Sequence, residues 1–162
     1  MSRDISRFER PELLVELKKR AKEELSLDIG WSCIDRTIQE QQAYWSRGRE
    51  PLAVVNTLYK LAGLDPITQA DNRRKITWTM NSKHIVNPED INRDNDLSRA
   101  ADFFVIYKGK AVWDVKADVD KDSEADYVEV GKLAESMGFR WGGRFKDKQG
   151  RDMLDPCHVE LT

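Results

Sequence analysis

The chain has 162 residues, balanced charge with a formal net charge of −2, and ordinary apolar content. That size suits one domain over residues 1–162 with one core, and the charge balance gives no electrostatic case for nucleic acid as a partner. No apolar run is long enough to insert in a membrane, and residues 1–5 lack the apolar core of a secretory signal.

Pro11 is a good first helical residue. Leu13, Leu14, Leu17, Ala21 and Leu25 then recur at helical spacing, which predicts a surface helix over 11–26. Residues 28–34 read as a short buried strand. A second helix is expected over 36–47, ending at Gly48, and a third over 52–62, closed by Gly63. A polar loop follows over 65–74. Residues 75–79 have strand character and lead to His84, and residues 86–96 form a polar loop. The most strand-like run is 99–107, turned by Lys108-Gly109-Lys110 into a hairpin with 111–113. A helix over 124–137, capped by Gly138, precedes Phe139-Arg140-Trp141-Gly142-Gly143 and a terminal strand. Helices first, then strands with one more helix, predict an α+β fold with a small, mainly antiparallel sheet.

Only two histidines are present, His84 and His158. A catalytic metal takes neutral imidazoles and carboxylates and keeps one position open for water, so a two-histidine site must use both. Around His158, Val159 faces one way and His158 and Glu160 the other. Asp155 sits on the turn made by Pro156, three residues before His158, within reach of a metal's water without being a ligand. Taken alone, this stretch reads first as an edge strand with a buried, hydrogen-bonded histidine. The two cysteines, Cys33 and Cys157, do not form a disulfide framework and are expected as free buried thiols; alternation turns Cys157 away from His158.

Three ordered blocks go further. They are Arg36-Thr37 with Gln41 and Gly48-Arg49; Ser82-Lys83-His84 continued by Ser98-Arg99-Ala100-Ala101-Asp102; and Trp141-Gly142-Gly143 with Asp155-Pro156-Cys157-His158. Together they resemble the zinc D-Ala-D-Ala carboxypeptidase and L-alanyl-D-glutamate peptidase family, which includes VanX- and VanY-type enzymes and many phage endolysins. The resemblance covers roughly residues 28–162, leaving the helix over 11–26 outside it. It implies a hedgehog/D-Ala-D-Ala peptidase-like fold with a zinc site in a cleft on the sheet. By position it makes His84, Asp102 and His158 the ligands of one zinc, Asp155 the catalytic carboxylate, and Arg36 the partner of the scissile carbonyl. Ser82 becomes a substrate contact, and Gln41 and Trp141-Gly142-Gly143 become structural residues, with a cleft wall as the alternative role of Trp141. Asp102 lies eighteen residues after His84 where the family places its ligand seven after, and Ser98 stands for the family's glycine. The reading is an eleven-residue insertion bulging between two strand ends, which loop-closure entropy tolerates.

The insertion carries Asp90, Asn92, Asp94 and Asp96 in alternation. A second acidic stretch resembles a calcium loop: Asp118, Asp120, Asp122, Glu124 and Asp126 at positions 1, 3, 5, 7 and 9, Glu129 at 12, and Ser123 in place of glycine at 6. The alternative is a solvated helix start with Ser123 as N-cap and Asp126 in a capping box.

The expected function is a zinc metallopeptidase acting as a monomer on bacterial peptidoglycan stem peptides. The setting would be a phage-type endolysin that gathers in the host cytoplasm and meets the wall once another protein opens the membrane. L-alanyl-D-glutamate hydrolysis is favoured over D-Ala-D-Ala carboxypeptidase or dipeptidase action. The rival from another class is a non-catalytic wall-binding module.

Overall fold

The computed structural model describes residues 3–86 and 96–162. Its centre is the strand β2 (Ala100–Tyr107). One edge of β2 pairs with β1 (Asp28–Cys33). The other edge is shared by β5 (His158–Leu161) at its start and β3 (Lys110–Val112) at its end, and β4 (Phe139–Trp141) lies outside β5. Every pairing is antiparallel, so the α+β fold with an antiparallel sheet is borne out.

Two helices cover one face. α1 (Pro11–Leu25) and α4 (Asp126–Ser136) bring Leu14, Leu17, Ala21, Tyr127, Val130 and Ala134 onto Phe103, Val105 and Val159. Strand alternation sends the intervening residues Asp102, His158 and Glu160 to the opposite face. There α2 (Ile38–Ser46) and α3 (Leu52–Leu61) form a smaller cluster around Ala43, Val55 and Tyr59. α2 opens on a capping box in which Thr37 and Glu40 satisfy each other's backbone N–H.

Two local expectations fail. Residues 75–79 do not join the sheet. Their backbone partners are side chains instead: Gln41 Nε2 donates to Thr77 Oγ1 and Thr79 O, and Arg49 Nη2 to Thr77 O, so an extended segment is held without a neighbouring strand. α4 begins at Asp126 with Ala125 as its cap residue and no side-chain cap. Asp126 cannot close a capping box on Ser123 because both its oxygens accept from Val119 N.

The insertion is only partly visible. Asp90, Asn92 and Asp94 lie outside the described residues. Its two ends meet, with Arg99 N donating to Lys83 O at 2.9 Å, so the added length leaves the flanking backbone together. The first end is not a strand, contrary to expectation; it is a loop tied to Arg36 by Arg36 N to His84 O and Val86 N to Arg36 O.

Candidate metal and catalytic centre

Asp102 and His158 are direct cross-strand neighbours on β2 and β5. The Arg36–Ile85 bridge brings His84 against them from the loop side. His84 Nε2 lies 3.2 Å from Asp102 Oδ1 and 3.2 Å from His158 Nδ1, and His158 Nδ1 lies 3.1 Å from the same Asp102 oxygen. All three residues are buried. Three corners of a tetrahedron around zinc, with bonds of about 2.0–2.1 Å, stand about 3.3 Å apart. The triangle therefore fits one such ion.

The remaining ring nitrogens are already committed. His84 Nδ1 meets Ile34 O at 2.8 Å, and His158 Nε2 meets Glu160 Oε2 at 3.1 Å. Each outer partner accepts an N–H, which leaves the inward nitrogen with its lone pair for a metal. Glu160 is itself fixed by Lys83, at 3.1 Å, and by Arg140, at 2.6 Å. Burial works against charge on Glu160, but the His158 and Lys83 bonds outweigh it and hold its acid at about 2. Burial likewise opposes charge on His84, yet the adjacent Asp102 carboxylate raises it to about 10, while Asp102 falls well below the usual carboxylate range. A proton on His84 balances this carboxylate, and a divalent cation would displace that proton.

Arg36 backs the site. Its Nη2 donates to Asp102 Oδ2 at 3.1 Å, Nη1 to Gln41 Oε1, and Nε to Cys33 Sγ. A β-bulge between Trp31 and Cys33 sets Cys33 opposite Asp102, where Ser32 Oγ also bonds the Asp102 carbonyl. Asp155 stands on the open side, with a carboxylate oxygen within 4.8 Å of the Asp102 and His158 ligand atoms. Gly142 makes this possible: a Cβ there would lie 2.2 Å from Asp155 O. The cleft in front, of about 230 Å³, is lined by residues 76–79 and 81–83 and by Phe145, Met153 and Asp155.

Ser82 lines this cleft and its Oγ accepts from His84 N. Trp141, with a cleft wall as its alternative role, does not line the cleft. Its indole is buried against Gly131, where an added Cβ would come within 2.1 Å of the ring, and its N–H donates to Pro156 O at 2.8 Å. It braces the turn that carries Asp155. Cys157 lies in that turn just before β5 and packs against the core cluster as expected, while its thiol also donates to Asp155 Oδ1 at the cleft edge. Burial, with Asp102 and Asp155 nearby, pushes that thiol's pKa up and keeps it protonated. Sequence reading missed three contributors: Cys33, Lys83 and Phe145, whose ring meets His158 edge-on at 5.5 Å. Lys83 had a signal in adjoining His84; Phe145 had none. The acids of residues 118–129 do not line the cleft.

Residues 96–161 match the model of a family described as D-alanyl-D-alanine carboxypeptidase. Over 59 residues the chain is 37% identical to the peptidoglycan L-alanyl-D-glutamate endopeptidase CwlK of Bacillus subtilis (strain 168), an alignment covering 34% of this chain and 35% of that protein. The chain thus spans about a third of the length of the curated relative it matches. The resemblance read from the motifs is borne out over this stretch. The family match takes in Asp102, Asp155 and His158 and stops short of Arg36 and His84, which the motif blocks name and the fold brings to them.

Proposed function

We propose that this chain, which resembles the zinc D-Ala-D-Ala carboxypeptidase and L-alanyl-D-glutamate peptidase family, is a zinc peptidase that hydrolyses the L-alanyl-D-glutamate bond of peptidoglycan stem peptides. The convergence of His84, Asp102 and His158, with Asp155 on the open side, carries the reading. His84, Asp102 and His158 would hold the ion. When bound, zinc polarises the scissile carbonyl and makes water acidic enough to attack at neutral pH.

Asp155 takes the proton of the attacking water and passes it to the leaving amine, a general base turned general acid. Arg36 spends three N–H donors on Asp102, Gln41 and Cys33. Two donors remain for the oxyanion, in a pocket where fixed charge is effective. Glu160 and Ile34 O keep both imidazoles oriented, and Ser82 with the rest of the cleft lining receives the peptide. A lysin role, with access to the wall after another protein opens the membrane, is part of the same reading, as is action as a monomer.

Digestion of purified peptidoglycan, with products read by mass spectrometry, tests this. The expected product is stem peptides that start at glutamate, with L-alanine left on the glycan. Release of terminal D-alanine alone assigns the carboxypeptidase reaction instead, the activity in the description of the matching family. Binding to the wall with no product from zinc-loaded protein assigns a non-catalytic module.

A further inference from the structure

Glu129 is a carboxylate without a counterpart. It is 8% exposed, and its Oε2 is buried with no hydrogen-bond partner. It sits in the first turn of α4, with its carboxylate within 4.8 Å of those of Asp120 and Asp126. Asp120 in turn clusters within the same distance with Asp118 and Asp122. A carboxylate removed from water and facing other acids is strongly unfavourable; burial and the neighbouring Asp122 raise the Glu129 acid to about 7, and a cation is the partner that lets it stay ionised at neutral pH.

The geometry points to a calcium site in residues 118–129, separate from the zinc centre, with Asp118, Asp120, Asp122 and Glu129 as side-chain ligands. All donors are oxygens, which suits a hard cation rather than zinc. The spacing 1, 3, 5 and 12 is that of a twelve-residue calcium loop. The loop is already folded for it. Asp118 accepts from the backbone N–H of Asp122 and Ser123, which fixes its carboxylate inward of the turn. Ser123 has φ +81°, the left-handed conformation that glycine normally supplies at position 6. Glu124 ion-pairs with Lys132, so its side chain is not available as a ligand; position 7 of such loops uses the main-chain carbonyl in any case. Glu124, expected at position 7, would then contribute its main-chain carbonyl.

Binding there ties down the start of α4. That helix carries Tyr127, bonded to Val112 O, and Gly131, packed on the Trp141 that braces Pro156. Calcium is therefore expected to raise the stability of the whole domain. The test uses zinc-loaded protein desalted into calcium-free buffer, titrated with CaCl₂ or MgCl₂ by calorimetry and melted in parallel. One calcium should bind with a Kd on the order of 10⁻⁵ to 10⁻³ M. Saturation should raise Tm by about 5 °C, and equal magnesium should do less. Glu129→Gln should lose the calcium response while melting no lower than the parent in calcium-free buffer, because the repulsion is gone. That second reading separates a ligand from a packing residue. Absence of heat and of any Tm shift up to about 10 mM calcium, equal binding of magnesium, or an unchanged response in Glu129→Gln would each overturn the inference. None of these readings involves substrate, so the outcome is independent of the peptidase assignment.

Discussion

His84 Nε2 and His158 Nδ1 lie 3.2 Å apart, with 74 positions of sequence between them. Two different devices bring them together. His158 is placed by sheet register opposite Asp102, and His84 by a backbone bridge to Arg36. An imidazole pair this close, with a carboxylate touching both, is a site shaped for a cation.

The role of Asp155 separates from that of Glu160 by substitution. Asp155→Asn should keep zinc and fold and lose on the order of 10²-fold or more in turnover. Glu160→Gln should weaken zinc binding about 10- to 100-fold and recover much of its turnover when zinc is in excess. Side-by-side zinc analysis and peptidoglycan assays decide. Abolished turnover in zinc-saturated Glu160→Gln alone would reverse the roles.

Arg36→Lys keeps a positive charge but not the planar fork that reaches Asp102, Gln41 and Cys33 at once. Turnover should fall at least about 10-fold, since Arg and Lys are not equivalent at a multidentate position. Near-normal kcat with altered KM would show that Arg36 serves only in binding.

Neither cysteine is expected to hold the metal. Cys33 Sγ lies 3.7 Å from His84 Nδ1, the ring nitrogen already bonded to Ile34 O, and Cys157 is a protonated thiol donating to Asp155. Cys33→Ala and Cys157→Ala should each retain zinc. Loss of zinc in either variant would add a sulfur ligand to the site.

Gly142→Ala should be costly, because the new methyl group meets the Asp155 carbonyl at 2.2 Å. Overpacking of this kind costs about 1–3 kcal/mol and moves the turn that bears the base. Thermal melts should show the lowered stability, and activity should drop further than stability accounts for.

Much of this site was legible from residue type and order. With two histidines in the chain, a two-imidazole centre had no other choice, and period-two alternation correctly put His158 and Glu160 on one face away from Val159. The helices over 11–26 and 52–62 emerged because apolar spacing and Gly63 mark them locally. Residues 75–79 misled because their extended backbone is satisfied by Gln41 and Arg49, side chains distant in sequence. The structural reading of Trp141-Gly142-Gly143 holds, while the second role of Trp141 as a cleft wall does not: whether an indole lines a cleft or packs on Gly131 depends on α4, which local sequence does not show. Cys157 packs against the core as alternation predicts, but its place in the turn also lets its thiol reach Asp155, which alternation does not show.

The metal content of purified protein, measured by plasma mass spectrometry beside that of His84→Ala, bears most directly on the central claim. His84 lies outside the family match and reaches the centre from a loop rather than the sheet, so it tests the geometry itself. The expected result is about one zinc per chain, falling below roughly a tenth in His84→Ala, with lysis lost in parallel. Full zinc content and full lytic activity in His84→Ala, or no zinc in the parent protein and no gain on adding it, would contradict the account.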